Sequence, residues 1–148
     1  MAQSLNYMAD SIPTELVLDV VTPDRQVAHD SVTSVTIPGK SGYLGILPGH
    51  TPLLTEIAPG ELTYTRDNVK HYLVVTWGFA EILPDRIIVL AQGAERAEEI
   101  DLERAERAKQ RAEDRLKKFS DPQVDQERAR EALRRAIARL ETARHASR

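Results

Sequence analysis

The chain predicts an α+β fold: an N-terminal antiparallel β-sandwich of about eight to ten short strands, followed by a C-terminal antiparallel two-helix hairpin. Three observations predict it. All seven glycines and seven of the eight prolines lie in residues 1–100. In the same span short apolar runs alternate with turn residues at roughly 8–12-residue spacing, the pattern of sandwiches and flattened barrels. From Asp101 onward the composition turns to Ala, Arg and Glu at helical spacing.

Charge divides at the same point. Residues 1–100 carry 6 Lys and Arg against 13 Asp and Glu, and residues 101–148 carry 14 against 10, so a net of −7 meets a net of +4. An acidic domain over 1–100 and a basic helical arm over 101–148 are therefore expected. There is no cysteine, which excludes disulfides and thiolate chemistry. The start, MAQSLNYMADSIPTE, has neither the basic nor the apolar region of a secretory signal. No apolar run approaches the ~18–20 residues of a membrane span.

Taken in order, Leu16–Val21 reads as a strand stopped by Thr22-Pro23-Asp24. Residues 31–37 alternate apolar and hydroxyl side chains, which predicts one half-buried strand ended by Pro38-Gly39. Residues 43–47 form a short apolar strand closed by Pro48-Gly49. Further strands are expected at 52–57, 61–66, 69–76, 78–83 and 86–91, with turns at Pro59-Gly60, Asp67-Asn68 and Pro84-Asp85. A first helix is expected at about 101–119, with Asp101 as its N-cap and Ile100 stapling onto Ala105. Ser120-Asp121-Pro122 breaks it and starts a second helix at about 122–145. The larger apolar residues of the pair are Leu102, Leu116, Phe119, Leu133, Ile137 and Leu140. So thin a stripe predicts a hairpin whose docking is easily shifted.

The glycine- and proline-rich segment 37–54 is two tight turns around one strand. It is not a phosphate loop, because Gly39-Lys40-Ser41 leads into a strand and not a helix. Tyr43, Leu44 and Ile46 beside that loop suggest a contact surface. His29, His50 and His71 fall on different strands or turns with no carboxylate at ligand spacing, so no metal site is expected. No Gly-x-Ser-x-Gly elbow is present, so no catalytic residue is assigned and the chain is expected not to be an enzyme. At the junction, Asp101 and Arg104 with a second-helix arginine could hold a nucleotide, or could simply cap the helix. Arg128, Arg135 and Arg139 fall near one helical face and suit an acidic partner. Nucleic acid is disfavoured by the net negative charge and the scarcity of aromatic residues in the arm.

These segments together resemble the epsilon-subunit family of F-type ATP synthases. Residues 35–60, VTIPGKSGYLGILPGHTPLLTEIAPG, carry the most specific part of the resemblance. Gly78-Phe79-Ala80-Glu81, Val89-Leu90-Ala91 and Ala97-Glu98-Glu99-Ile100-Asp101 carry the second. The resemblance spans roughly 14–145. It implies a non-catalytic rotor-stalk subunit whose sandwich binds the gamma subunit and the membrane c-ring, with Tyr43, Leu44 and His50 at the ring contact. It also implies a hairpin that either folds onto the sandwich or extends toward the alpha and beta subunits. Extended, Arg128, Arg135 and Arg139 would meet an acidic segment of a beta subunit and inhibit ATP hydrolysis. In some members I/L-D-x-x-R-A binds regulatory ATP, and Ile100, Asp101, Arg104 and Ala105 match that pattern. No cofactor is otherwise required. The implied location is peripheral, on the cytoplasmic face of a bacterial plasma membrane, with membrane contact only through the complex. A free-standing nucleotide-sensing module is the second reading, and a small hydrolase on a β-sandwich the third.

Overall fold

The computed structural model describes residues 12–146; the opening segment, read above as lacking a secretory signal, lies largely outside them. Ten strands come first: β1 Leu16–Val21, β2 Gln26–Val32, β3 Ser34–Gly39, β4 Gly42–Ile46, β5 Leu53–Ile57, β6 Gly60–Arg66, β7 Val69–Val75, β8 Gly78–Leu83, β9 Arg86–Ala91 and β10 Ala94–Arg96. They form one folded sheet in the order β10-β7-β6-β3-β5-β8-β9-β1-β2, with β4 hairpinned onto β3. The pairings are antiparallel except β1 with β9, which is parallel. No described helix is long and apolar enough to cross a membrane.

Alternation builds the interior. Leu16, Leu18 and Val20 of β1 point inward to meet Ile82, Ile87, Leu62 and Leu73, all of them buried. The sheet closes on itself where its last strand, β2, reaches β6 and β10. Buried Tyr64 donates its hydroxyl to Asp30 Oδ2 at 2.9 Å, and Arg66 Nη1 reaches Asp30 Oδ1 at 2.6 Å. Arg96 Nη2 donates to the Val27 carbonyl at 2.8 Å and Nη1 to the Tyr64 hydroxyl. Burial pushes the Asp30 carboxyl upward, but the bonds from Tyr64 and Arg66 outweigh it and hold the group below its ordinary value.

Two strand expectations need correction. The run 31–37 is split at Thr33, whose N–H and hydroxyl both turn to the Thr65 carbonyl. The segment 26–32 is a strand of its own, concealed in the sequence because adjacent Val27 and Ala28 are both buried and break the period of two. Pro38-Gly39 does not end the strand before it: β3 runs through both and turns at Lys40-Ser41. The Asp67-Asn68 turn is as expected, with φ of 51° and 60°, the left-handed pair that a two-residue hairpin needs.

After a 3-10 turn at Ala97–Glu99 come helix α1, Leu102–Lys117, and helix α2, Gln126–Ala143. Asp101 caps α1, its side chain accepting from the Arg104 N–H at 3.0 Å. The second start lies later than Asp121-Pro122. Asp125 is the cap, accepting from the Arg128 N–H, while Asp121 closes a local turn onto the Gln123 N–H. Both aspartates can cap, and α2 starts where its alanine stripe meets α1. That stripe also changes the expected seam. Ala105 and Ala112 are buried against Ala129 and Ala136, whereas Phe119 is 80% exposed and Leu102 and Ile137 are more than a third exposed.

The hairpin lies folded onto the sandwich through α2. Ala138 and Ala143 pack on Val74 and Ile100. Arg139 Nε reaches Glu95 Oε1 at 2.7 Å, Arg134 lies 5.6 Å over the Trp77 ring, and His145 stacks on Tyr72 at 4.1 Å. The root of the arm is tied separately. Arg25, in the β1–β2 turn, grips Glu99 with both terminal guanidinium nitrogens, Nη2 at 2.6 Å and Nη1 at 3.3 Å.

Two outcomes test this packing. A Cβ on Gly78 would sit 1.9 Å from the Leu90 carbonyl and 2.9 Å from Ala91 Cα. Gly78→Ala should therefore pry β8 from β9 and cost at least about 1–3 kcal/mol in denaturant unfolding. The bond from Arg25 holds the Glu99 carboxyl below its ordinary value. A depressed carboxylate contributes stability above its unfolded pKa of about 4.3 and loses it as pH falls through the lower folded value. Glu99→Gln should flatten the acid-side fall of the thermal midpoint below about pH 5.

Candidate functional site

A polar cleft of about 400 Å³ opens between α1, α2 and the chain around β10. Its floor is small: Ala105, Ala108 and Ala112 of α1 and Ala132 of α2 leave the space that larger side chains would fill. Its rim is cationic. Helical spacing brings Arg104, Arg111 and Arg115 (i, i+7, i+11) to one edge from α1, and Arg135 and Arg139 (i, i+4) to the other from α2. Glu95, Glu99 and Asp101 complete the lining.

The charges are unevenly matched. Glu95 is paired with Arg139, Glu99 with Arg25, and Asp101 is used as the α1 cap. Arg104, Arg111, Arg115 and Arg135 make no side-chain hydrogen bond or ion pair among the described residues. Four guanidiniums facing one cavity without carboxylate partners repel each other, and a polyanion with several acceptor oxygens relieves that repulsion. The arrangement can hold a phosphate chain. Each of its three carboxylates is already engaged, Glu95 and Glu99 by arginines and Asp101 by the α1 cap.

Of the residues picked from sequence, Asp101, Arg104 and Ala105 line this cleft. Ile100 does not; it is buried against Val74, Ala138 and Ala143 beneath α2. Arg135 and Arg139, assigned above to an acidic partner, also line the cleft, while Arg128 is exposed. Arg111 and Arg115 were missed. Their signal was the i+7 and i+11 spacing from Arg104.

The residues beside the 42–50 loop divide. Tyr43 is 62% exposed, with its hydroxyl accepting from the Glu61 N–H at 3.4 Å. Leu44 turns back against the core, and Ile46 is buried. His50 is half-buried with its ring against the Thr51 carbonyl. Leu47 and Leu54, at 63% and 70% exposed, add apolar surface the sequence reading did not assign. His29 pairs with Asp19 and His71 stacks on Tyr64, so the three histidines do not converge. No cluster of metal-ligating side chains occurs among the described residues.

A second surface lies on the outer face of β5, β8, β9 and β1. Register aligns Glu56, Phe79, Leu90 and Val21 across four strands, and Phe79 and Leu90 are each more than half exposed. With Pro23 and Trp77 they line an open apolar groove of about 630 Å³. The sequence held a signal for it: β9, RIIVLA, is apolar on both faces, as strands covered on both sides are.

The comparisons with known proteins agree with one another. The family model for the ATP synthase delta/epsilon chain β-sandwich domain matches residues 15–97, and that for the delta/epsilon long α-helix domain matches residues 98–144. The ATP synthase epsilon chain of Koribacter versatilis is 54% identical over 109 residues, 74% of each chain. That of Nitratidesulfovibrio vulgaris is 46% identical over 123 residues, covering 83% of this chain and 91% of that one. A chain of the Euglena gracilis mitochondrial ATP synthase, solved as an OSCP/F1/c-ring assembly, superposes with a TM-score of 0.79 at 27% identity, covering 91% of this chain and 84% of that one. Both halves of the fold, the sandwich with its 35–60 turns and the capped hairpin, thus coincide with one family: the chain belongs to the ATP synthase delta/epsilon chain family, as an epsilon chain.

Proposed function

We propose that the chain is a non-catalytic stalk subunit whose sandwich anchors it to a rotor and whose hairpin restrains ATP hydrolysis, with ATP acting as a latch that keeps the hairpin down. The observation that carries the latch is the cleft with four unpaired guanidiniums, built jointly by the arm and the edge of the sandwich. Triphosphate oxygens bridging Arg104 and Arg111 to Arg135 would tie α1 to α2. Arg139, held to Glu95 at the edge of the sandwich through Nε, would meet the same phosphates with its remaining N–H groups and so tie both helices to the sandwich.

The apolar groove at Val21, Trp77, Phe79 and Leu90 suits a permanent neighbour, in this reading the gamma subunit. Tyr43, Leu47, His50 and Leu54 supply a second exposed patch, suited to the c-ring. Arg128, Arg135 and Arg139 act on an acidic segment of a beta subunit when the arm is extended. Because Arg135 and Arg139 also line the cleft, bound phosphate and that acidic segment compete for the same two cations. A complex of this kind sits at a membrane through its partners, on the cytoplasmic face of a bacterial plasma membrane.

Ligand that binds only the folded-down arm at 100 times its dissociation constant adds about 2.7 kcal/mol to that state. Deleting residues 101–148 should raise ATP hydrolysis by the assembled complex and leave assembly intact; unchanged hydrolysis rejects the inhibitory role. Calorimetry of the isolated full chain with ATP should give saturable binding that Arg135→Ala weakens by about 1.5–3 kcal/mol, the loss of hydrogen bonds to a charged group. Absence of heat at millimolar ATP removes the latch and leaves the stalk reading standing. Binding by the free chain together with consistent absence from the alpha, beta and gamma complex would favour the free-standing nucleotide sensor instead.

A further inference from the structure

We propose that Thr142 holds the docked hairpin below the strength its fit would otherwise give, so that the seam between α2 and the sheet is built to open. Arg134, Ala138 and Thr142 of α2, with His145 just beyond its end, form the stripe that faces the sandwich. Arg134 covers Trp77, Ala138 packs on Val74, and His145 stacks on Tyr72 beside Glu61. Thr142 lies between Ala138 and His145 on this stripe and is 0% exposed, yet its hydroxyl finds no hydrogen-bond partner.

That is unusual for a helical threonine, whose hydroxyl ordinarily bonds the carbonyl one turn back. Only one other buried side-chain polar atom among the described residues is without a partner: the indole nitrogen of Trp77. Trp77 belongs to the same seam, beneath Arg134. Every other buried polar side chain of the described residues is satisfied, so both orphans belong to residues that meet across the junction of arm and sandwich. An unmet buried donor forfeits its bonds to water and gains nothing in return.

The rest of the seam cannot easily offset this. Its buried side chains on α2 are alanine and threonine, so little apolar area is removed from water. Its remaining contacts are partly exposed charges, one aromatic stack and the Arg134 guanidinium over Trp77. Opening the seam wets the Thr142 hydroxyl and returns its hydrogen bonds. The loss on docking is therefore local to the arm and leaves the sandwich core untouched.

Thr142→Val removes the hydroxyl and keeps the branched shape, and Thr142→Ser keeps the hydroxyl and trims a methyl. The inference rests on the reading that the arm leaves the sheet, and it is tested on the full chain without nucleotide, so that a failure here is separable from a failure to bind ATP. Hydrogen exchange of the α2 amides at 134–143 should slow by about 5- to 30-fold in Thr142→Val, the range set by one satisfied buried group. Thr142→Ser should exchange at least as fast as the parent. Exchange at 134–143 that is unchanged or faster in Thr142→Val, with the amides of Leu62 and Leu73 still protected as a control on the core, would overturn the proposal. Trp77, the chain's single tryptophan, gives a second reading: its emission should report undocking at higher denaturant in Thr142→Val than in the parent, and an equal or lower midpoint counts against the proposal.

Discussion

The grip of Arg96 on the far edge of the sheet sets everything downstream of it. One guanidinium bonds the Val27 carbonyl of β2 and the hydroxyl of buried Tyr64, which itself holds Asp30. A folded sheet with free edges would splay there. Tyr64, Asp30 and Arg66 instead join β2 to β6, and Arg96 joins it to β10. Arg96 is also the last strand residue before the 3-10 turn, so the bond that closes the sandwich fixes where the arm begins. Glu99, three residues on, is held from the other side by Arg25. The start of α1 is thus fastened at two points before the hairpin makes any contact of its own.

The two surfaces of the molecule differ in what holds a partner to them. Across Phe79, Leu90 and Val21 the attraction is burial of apolar area, which salt does not screen. In the arginine cleft and along the docked arm it is charge. The Arg139–Glu95 pair and the unpaired guanidiniums are partly exposed, and screening over about 8 Å at physiological ionic strength weakens such contacts. An anchor that salt does not screen and an arm that it does suit the proposed division of labour, in which one half would stay put and the other respond.

Most of the sandwich was legible because period-two alternation and Gly/Pro turns mark strands wherever one face is wet. β2 was not, because Val27 and Ala28 face buried surroundings on both sides of the strand where the sheet closes, and that closure is a long-range fact. Strand β10, Ala94–Arg96, is too short to carry a pattern. In the arm, helix type was plain but helix limits were not, since Asp121 and Asp125 are equally good caps and only packing against α1 chooses between them. Asp101 and Arg104 of the cleft were legible from the cap motif. Arg135 and Arg139 were seen as basic and given to an external partner, because sequence spacing cannot tell which face of a helix the other helix will cover. The unpartnered hydroxyl of Thr142 has no sequence signature at all.

Between Glu99, pinned by Arg25, and the first residue of α1 there are two residues, Ile100 and Asp101. So short a connection is a pivot and not a tether. If the arm leaves the sheet as proposed, it swings about a fixed point, and its reach is a matter of helix rise and not of linker statistics. The 16 residues of α1 span about 24 Å and the 18 of α2 about 27 Å. The radius such an arm would sweep is therefore written into its length like the throw of a crank, and each residue inserted or removed on α1 would move the tip outward or inward by about 1.5 Å while turning it by roughly 100°.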